Sequence, residues 1–280
     1  MKRYGTYIKP YLGAFILGPL LMLTEVAGEI MLPKLMSLII NNGVANRDTS
    51  YIIAVGGVMV VTAFVMAAGG IGAAYFSSKA SICFSSDLRK DVFDKVQQFS
   101  FKNIDDFSSG SLVTRLTNDI QQIQNVLMMS LRLMFRAPGM LIGGLIMAYL
   151  MNSRLVTILL VVIPLLLLAI AVILRTAFPR FEVMQKKIDR LNSGVQEALT
   201  NVRVIKSFVR EDYENKKFSK ASRMLYDLSV RAEGLLAFNN PAMMVAVYFC
   251  IISVSWFGAK FIVAGDMSTG DLTSLFSYIM

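Results

Sequence analysis

The chain has 280 residues, 55% of them hydrophobic and only 17% charged, with a net charge of +9. A soluble domain carries about 25% charged residues; here the apolar residues fall in long uncharged runs, which excludes an ordinary soluble fold and reads as an all-α membrane protein. The charge does not read as a nucleic-acid surface, because the basic residues are interleaved with acids in two inter-span segments.

The first apolar run, Tyr11–Leu32, is interrupted only by Glu25 and Glu29. It is too long for the apolar core of a signal peptide, and no A-x-A-like site follows it. Tyr51–Phe76 has no charge over 26 residues, Leu155–Leu174 none over 20, and Leu235–Ala259 none over 25. Ala137–Met151 is shorter, and its helix is expected to begin near Val126 and to include Arg132 and Arg136. Each segment is long enough for a core that needs about 20 helical residues. The expected spans are therefore about 11–38, 51–80, 126–151, 155–178 and 235–262, with a sixth at 270–280 that is incomplete. On this reading the chain is a fragment.

Of 28 basic residues, 22 lie in the N-terminal tail, in 77–125 or in 175–236. The positive-inside rule then places the N-terminus and two loops, about 81–125 and 179–234, in the cytoplasm. These loops read as stalks. No glycine falls between Gly72 and Gly110, and no proline between Pro33 and Pro138, so span two is expected to run unbroken into the cytoplasm. Leu88, Val92, Val96 and Phe99 form its apolar stripe. In the second loop, Phe181, Met184, Ile188, Leu191, Val195, Ala198 and Val202 step by threes and fours. Phe218, Ala221, Leu225, Leu228, Ala232 and Leu235 do the same on the return. That predicts two helices packed through narrow heptad seams around a turn near Lys206–Lys216. The loop tips carry aromatic residues among charges. Phe101, Asn103, Asp105, Asp106 and Phe107 lie in the first, and Phe208, Arg210, Glu211 and Tyr213 in the second. An aromatic anchor with a polar rim suits docking, and a solvated turn is the plainer alternative.

Within the membrane, Glu25 and Glu29 share a helix face at i and i+4. They read as a cavity wall for cationic or hydrogen-bonding substrates, as partners of Lys34 or Arg136, or as carboxyls held neutral by burial. Arg132 and Arg136 are expected to snorkel toward the cytoplasmic headgroups. Among 18 methionines, Met22 and Met243 join the pathway candidates, with Asn239 and Asn240 beside Pro241. Most methionines, and Gly56, Gly57, Gly69, Gly70, Gly72, Gly143 and Gly144, read as helix packing. Pro164, Pro179 and Pro241 are expected to kink their helices. With no histidine and only two cysteines, no Ser/His/Asp or Cys/His arrangement, zinc site or disulfide framework is expected.

Several runs resemble the transmembrane domain of an ABC exporter, with one half of the bacterial heterodimeric multidrug exporters the nearest likeness. They are YIKPY at Tyr7–Tyr11, DLRKDVFDKV at Asp87–Val96, SLVTRLTNDIQQIQN at Ser111–Asn125, LRLMFRAP at Leu131–Pro138, NVRVIKSFVREDYE at Asn201–Glu214, and TGDL at Thr269–Leu272. The resemblance implies six membrane helices in a domain-swapped dimer with a second half-transporter. It also implies coupling helices at about Ser100–Phe107 and Ile205–Tyr213 that seat in nucleotide-binding domains and carry ATP-driven closure to the pore. The chain contains no G-x-x-x-x-G-K-[ST] and no LSGGQ-like run. No nucleotide or metal is therefore expected on it, no catalysis is expected of it, and ATP and Mg are implied for a separate domain. The implied setting is a multi-pass protein of a bacterial cell membrane that exports amphipathic small molecules, with lipid or peptide cargo as alternatives. An ion-coupled secondary transporter, which usually has short cytoplasmic loops, and a membrane-anchored signalling subunit fit the stalks less well.

Overall fold

The computed structural model describes residues 5–99 and 109–280. Ten α-helices follow one another among the described residues. They are α1 (Gly5–Ile8), α2 (Leu12–Leu38), α3 (Thr49–Gln97), α4 (Ser109–Thr114), α5 (Ile120–Met151), α6 (Ser153–Thr200), α7 (Val202–Ser207), α8 (Glu211–Ala237), α9 (Asn239–Val263) and α10 (Thr269–Ile279). Two π-helical segments interrupt the pattern, Ile39–Val44 directly after α2 and Arg115–Asp119 directly before α5. Five helical stretches are long and apolar enough to cross a membrane, and the all-α class read from the sequence holds.

The chain divides into two compact units, residues 1–156 with 255–280, and residues 157–254. In the first, α2 and α3 lie close because small residues face each other. A side chain at Gly69 would meet the Leu21 carbonyl oxygen at 3.0 Å and the Glu25 nitrogen at 3.2 Å. One at Gly18 would meet the Ser77 nitrogen at 3.3 Å. Gly69, Ala73, Ser77, Ser81 and Ser85 repeat every four residues along α3, and all are buried. Such a stripe lets two backbones approach where no hydrophobic force separates helix from lipid. Gly69, Gly70, Gly72 and Gly143 meet neighbouring side chains, as their packing role requires; Gly56, Gly57 and Gly144, expected to do the same, face open space and pack against nothing within 4 Å.

α3 has 49 residues, or about 73 Å at 1.5 Å per residue. That is more than twice the ~30 Å hydrocarbon core, so its polar half extends well beyond a bilayer. Asp48 caps its start by accepting from the Tyr51 nitrogen at 3.0 Å. Two tyrosines near the N-terminus fasten to this polar half. The Tyr7 hydroxyl donates to Asp91 at 2.7 Å, and the Tyr11 hydroxyl bonds Asp87. Both pairs are spaced by one helical turn, so the runs YIKPY and DLRKDVFDKV meet. The helix leading into span three begins earlier than Val126. It is helical from Ser109, because no glycine or proline follows Gly110 in that stretch to stop it.

In the second unit, α8 returns from the tip of α6. The stripe Phe181, Met184, Ile188, Leu191, Val195, Ala198 is half-buried throughout, whereas Val202 is exposed. On α8, Ala232 is fully buried, Leu225 and Leu228 are half-buried, and Phe218 is exposed. The expected narrow seam therefore opens toward the tip. There Leu191, Val195, Ala198, Phe218 and Ala221 line a groove of about 370 Å³. Pro164 and Pro179 lie inside an unbroken α6. Pro241 is not a mid-helix kink. It stands in the first turn of α9, just after the break at Phe238, where its missing N–H has no partner to lose.

Candidate functional site

Three polar constellations stand out, two of them on α2. In the middle of α2, Glu25 and Glu29 point the same way, one turn apart, and Arg136 of α5 reaches across to both. Its Nη1 donates to Glu25 Oε1 at 2.5 Å and its Nη2 to Glu29 Oε2 at 2.8 Å. The planar guanidinium presents two donors in a fixed fork, and the one-turn spacing of the acids matches that fork. The triad has a formal charge of −1. A methyl group at Gly70 would lie 2.9 Å from Glu25 Oε2, so the glycine leaves room for the carboxylate. Of the two partners weighed for the glutamates, the structure selects Arg136. The snorkelling expected of Arg136 gives way because two carboxylates lie within reach, while Arg132 remains exposed.

The other pathway candidates separate. Met22 is 1% exposed and fills the helix interface, so it packs the core and does not line a cavity wall. Met243 is exposed. Asn239 is half-buried with its amide 4.0 Å from the Met243 sulfur, and Asn240 is exposed. No group of three or more metal-ligating side chains occurs among the described residues.

The second constellation joins the end of α2 to the start of α10. Asp271 accepts from Ser37 Oγ at 2.7 Å and from Ser268 Oγ at 2.6 Å, and Lys34 Nζ lies 3.9 Å away. Asn41 donates to Ser37 Oγ at 3.2 Å and to Asp271 at 3.5 Å, and accepts from the Gly270 nitrogen at 2.9 Å. Farther along, the Ser274 hydroxyl donates to the Pro33 carbonyl at 2.5 Å and the Tyr278 hydroxyl to that of Ile30 at 2.9 Å. Sequence reasoning missed this cluster. Ser37 and Asn41 are unremarkable polar residues near a helix end, and the only signal was TGDL, read merely as the start of a span.

The third constellation is the turn between α7 and α8. The Arg210 nitrogen donates to the Ile205 carbonyl at 2.9 Å and the Val209 nitrogen to that of Lys206 at 3.1 Å. This pair of bonds ends a helix through a left-handed residue, a position that usually takes glycine. Here it is Val209, with φ of 51°. A β-branched residue in that region is strained. The helical piece is Val202–Ser207, so the segment inferred at Ile205–Tyr213 is instead a helix end, a turn and the start of α8. Phe208, Val209 and Tyr213 are exposed, and the Arg210 guanidinium lies over the Tyr213 ring at 5.8 Å. Glu211 opens α8 with Asp212 and Glu214, where negative charge suits the helix dipole. Phe101, Asn103, Asp105, Asp106 and Phe107, expected at the other tip, lie outside the described residues.

Residues 15–280 match the family model described as the ABC transporter transmembrane region. The chain belongs to that family. Across 278 residues it is 36% identical to the ABC transporter ATP-binding protein YfiB of Bacillus subtilis, covering 99% of this chain and 48% of that protein. It is 32% identical over 272 residues to the ABC transporter ATP-binding protein Rv1273c of Mycobacterium tuberculosis, covering 97% of this chain and 47% of the relative. An ATP-dependent lipid A-core flippase of Pseudomonas aeruginosa is 26% identical over 291 residues, covering 96% and 46%. The chain thus spans about half the length of the curated relatives it matches. As an ABC transporter transmembrane region it is a multi-pass membrane protein whose family works with nucleotide-binding domains.

Proposed function

We propose that this chain is the membrane half of an ATP-driven exporter that moves amphipathic small molecules across the cell membrane as one of a pair of half-transporters. The observation that carries this reading is the strained, exposed turn Phe208–Arg210 at the tip of a helix pair that continues two membrane-length helices. Strain of this kind clusters at active sites, ligand clamps and switch regions, and an exposed Phe–Val pair with Arg and Tyr at its rim suits a docking groove. The basic-residue distribution puts this tip, the N-terminus and the segment about 100–107 in the cytoplasm. Nucleotide-binding domains seated on the two tips would move them when ATP and Mg bind there. α3 and α6 are continuous helices able to carry that motion into the membrane, and α8 passes it to α9 across the break at Phe238. Glu25 and Glu29, with Met243, Asn239 and Asn240, are the proposed wall of the substrate pathway. Arg136 holds the two carboxylates until a cationic group competes for them.

A lipid-like cargo is the second reading, favoured by the likeness to the Pseudomonas protein named as a lipid A-core flippase. ATP-dependent uptake into inside-out vesicles, with the full-length gene product and its partner, tests both. Uptake of cationic amphiphiles that falls at least tenfold in Phe208→Ala, with ATP hydrolysis retained, is the expected result. Selective loss of cations over neutral compounds in Glu25→Gln/Glu29→Gln supports the pathway assignment. ATP-driven transfer of a fluorescent lipid without drug uptake supports the second reading. Absence of any ATP-dependent movement would overturn both.

A further inference from the structure

The α2–α10 cluster has no part in the substrate wall or the coupling tips. Its geometry differs from the rest of the core in three ways. Every polar group along one face of α10 is spent on α2 or on the π segment that follows it. The Gly270 nitrogen, the Asp271 carboxylate, the Ser274 hydroxyl and the Tyr278 hydroxyl all find partners between Ile30 and Asn41. The approach is too close for any side chain at Gly270, where an added carbon would lie 2.6 Å from the Ser37 carbonyl oxygen. Finally, α2 leaves the cluster through the π segment Ile39–Val44, which contains Asn41. Such segments are uncommon and concentrate where a helix does something other than pack.

The location matters as much as the bonds. Ser37 and Asn41 stand at the end of α2, directly before the turn at 45–48. Asp271 and Lys34 keep 24% and 35% of their side-chain surface exposed, while Ser37 and Ser274 beneath them are buried. Glu25 lies twelve residues before Ser37 on α2, or about 18 Å from it along the helix axis. Hydrogen bonds beside water can be exchanged for bonds to water at little net cost, whereas groups in the hydrocarbon region have no such replacement. A polar seam at the water edge is therefore one that can part and re-form.

Resting on the exporter reading above, we propose that Asp271 is the positioning residue of an outer gate. It holds the outer ends of α2 and α10 together while the transporter awaits substrate, and the seam parts when the outer mouth opens. Asp271 gathers Ser37, Ser268, Asn41 and Lys34 on two oxygens, so its loss frees four partners at once.

The test uses the full-length transporter in membranes with every native cysteine, Cys83 and Cys250 among them, replaced by alanine and Ser274→Cys as reporter. Ser274 is 2% exposed at the seam. A membrane-impermeant maleimide added outside reads whether the seam is parted. In the reporter background, slow labelling without nucleotide and faster labelling with ATP and vanadate are expected. Asp271→Ala should raise the nucleotide-free rate by about tenfold, the shift that losing one charge-assisted hydrogen bond supports. It should leave the ATP–vanadate rate unchanged. Asp271→Asn, which keeps the shape and loses the charge, should fall between and guards against misfolding of the alanine variant. Equal nucleotide-free labelling in the parent and both variants overturns the gate while leaving ATP-driven transport, and with it the exporter reading, intact. A seam that never responds to ATP in a transporter that still pumps also overturns it. If neither labelling nor transport responds to ATP, the exporter reading fails and the gate fails with it.

Discussion

α2 is attached to its neighbours by polar groups at two levels, and the two attachments follow opposite logic. In the middle, three formally charged groups meet, and one arginine bonds two carboxylates. At the far end, one carboxylate is shared among two hydroxyls, an amide and a distant ammonium. The first arrangement fails if a single residue is lost, because two acids would remain beside apolar helices. The second degrades by degrees, because the carboxylate has several donors and the loss of any one leaves the others in place. A membrane helix can thus carry one brittle attachment and one exchangeable attachment, and depth determines which is which.

The comparison breaks most sharply at Arg136. Arg136→Ala should destabilise the folded domain by about 3 kcal/mol, the low end for breaking a buried pair, because Arg136 keeps 37% exposure. Thermal unfolding in detergent measures it, and Arg136→Lys should recover only part, since an ammonium cannot fork. Unchanged unfolding in Arg136→Ala would erase the distinction. Next comes Gly70→Ala, which forces the Glu25 carboxylate to move and should cost about 1–2 kcal/mol. Gly56→Ala on the same helix meets nothing within 4 Å and should be close to neutral. At the far end, Asn41→Ala should cost about 1 kcal/mol, the usual net value of a hydrogen bond. A loss as large as that of Arg136→Ala would show that the far cluster is equally brittle.

The smallest effect sharpens the contrast with an ion pair in water. Glu182 and Lys186 are paired one turn apart on the exposed surface of α6, at 2.7 Å. The bond from Lys186 holds the Glu182 carboxyl below the usual glutamate range. A lowered folded-state value means the contribution is present above the unfolded value, about 4.3, and is lost as pH falls through the folded one. At neutral pH, Lys186→Met should therefore leave unfolding nearly unchanged. A carbon NMR titration of Glu182 should show its value returning upward. No upward movement would mean the pair does not form in solution.

Much of this architecture was legible in the residues. Uncharged runs located five spans, and the lack of glycine and proline before Gly110 foretold the unbroken α3. The two intramembrane glutamates were conspicuous because a charge in an apolar run has few destinations, and Arg136 was one of two partners available. The Asp271 cluster stayed hidden because its members lie more than 200 residues apart along the chain, and serine and asparagine near a helix end are ordinary there. Val209 was equally silent. A left-handed residue is usually announced by glycine, and a valine in that position gives no warning. The heptad stripes were real as patterns, but spacing alone could not show that the seam widens into a groove toward the tip.

The far cluster also has a consequence for biosynthesis. Ser37 and the Asp271 carboxylate it needs are 234 positions apart. At about 5–20 residues per second, a ribosome takes roughly ten to fifty seconds to travel from one to the other. Throughout that interval the end of the first span presents Ser37, Asn41 and Lys34 to the insertion machinery with no α10 to receive them. The order of synthesis therefore requires a temporary host for that face, either water at the membrane edge or a protein surface that holds α2 until α10 arrives.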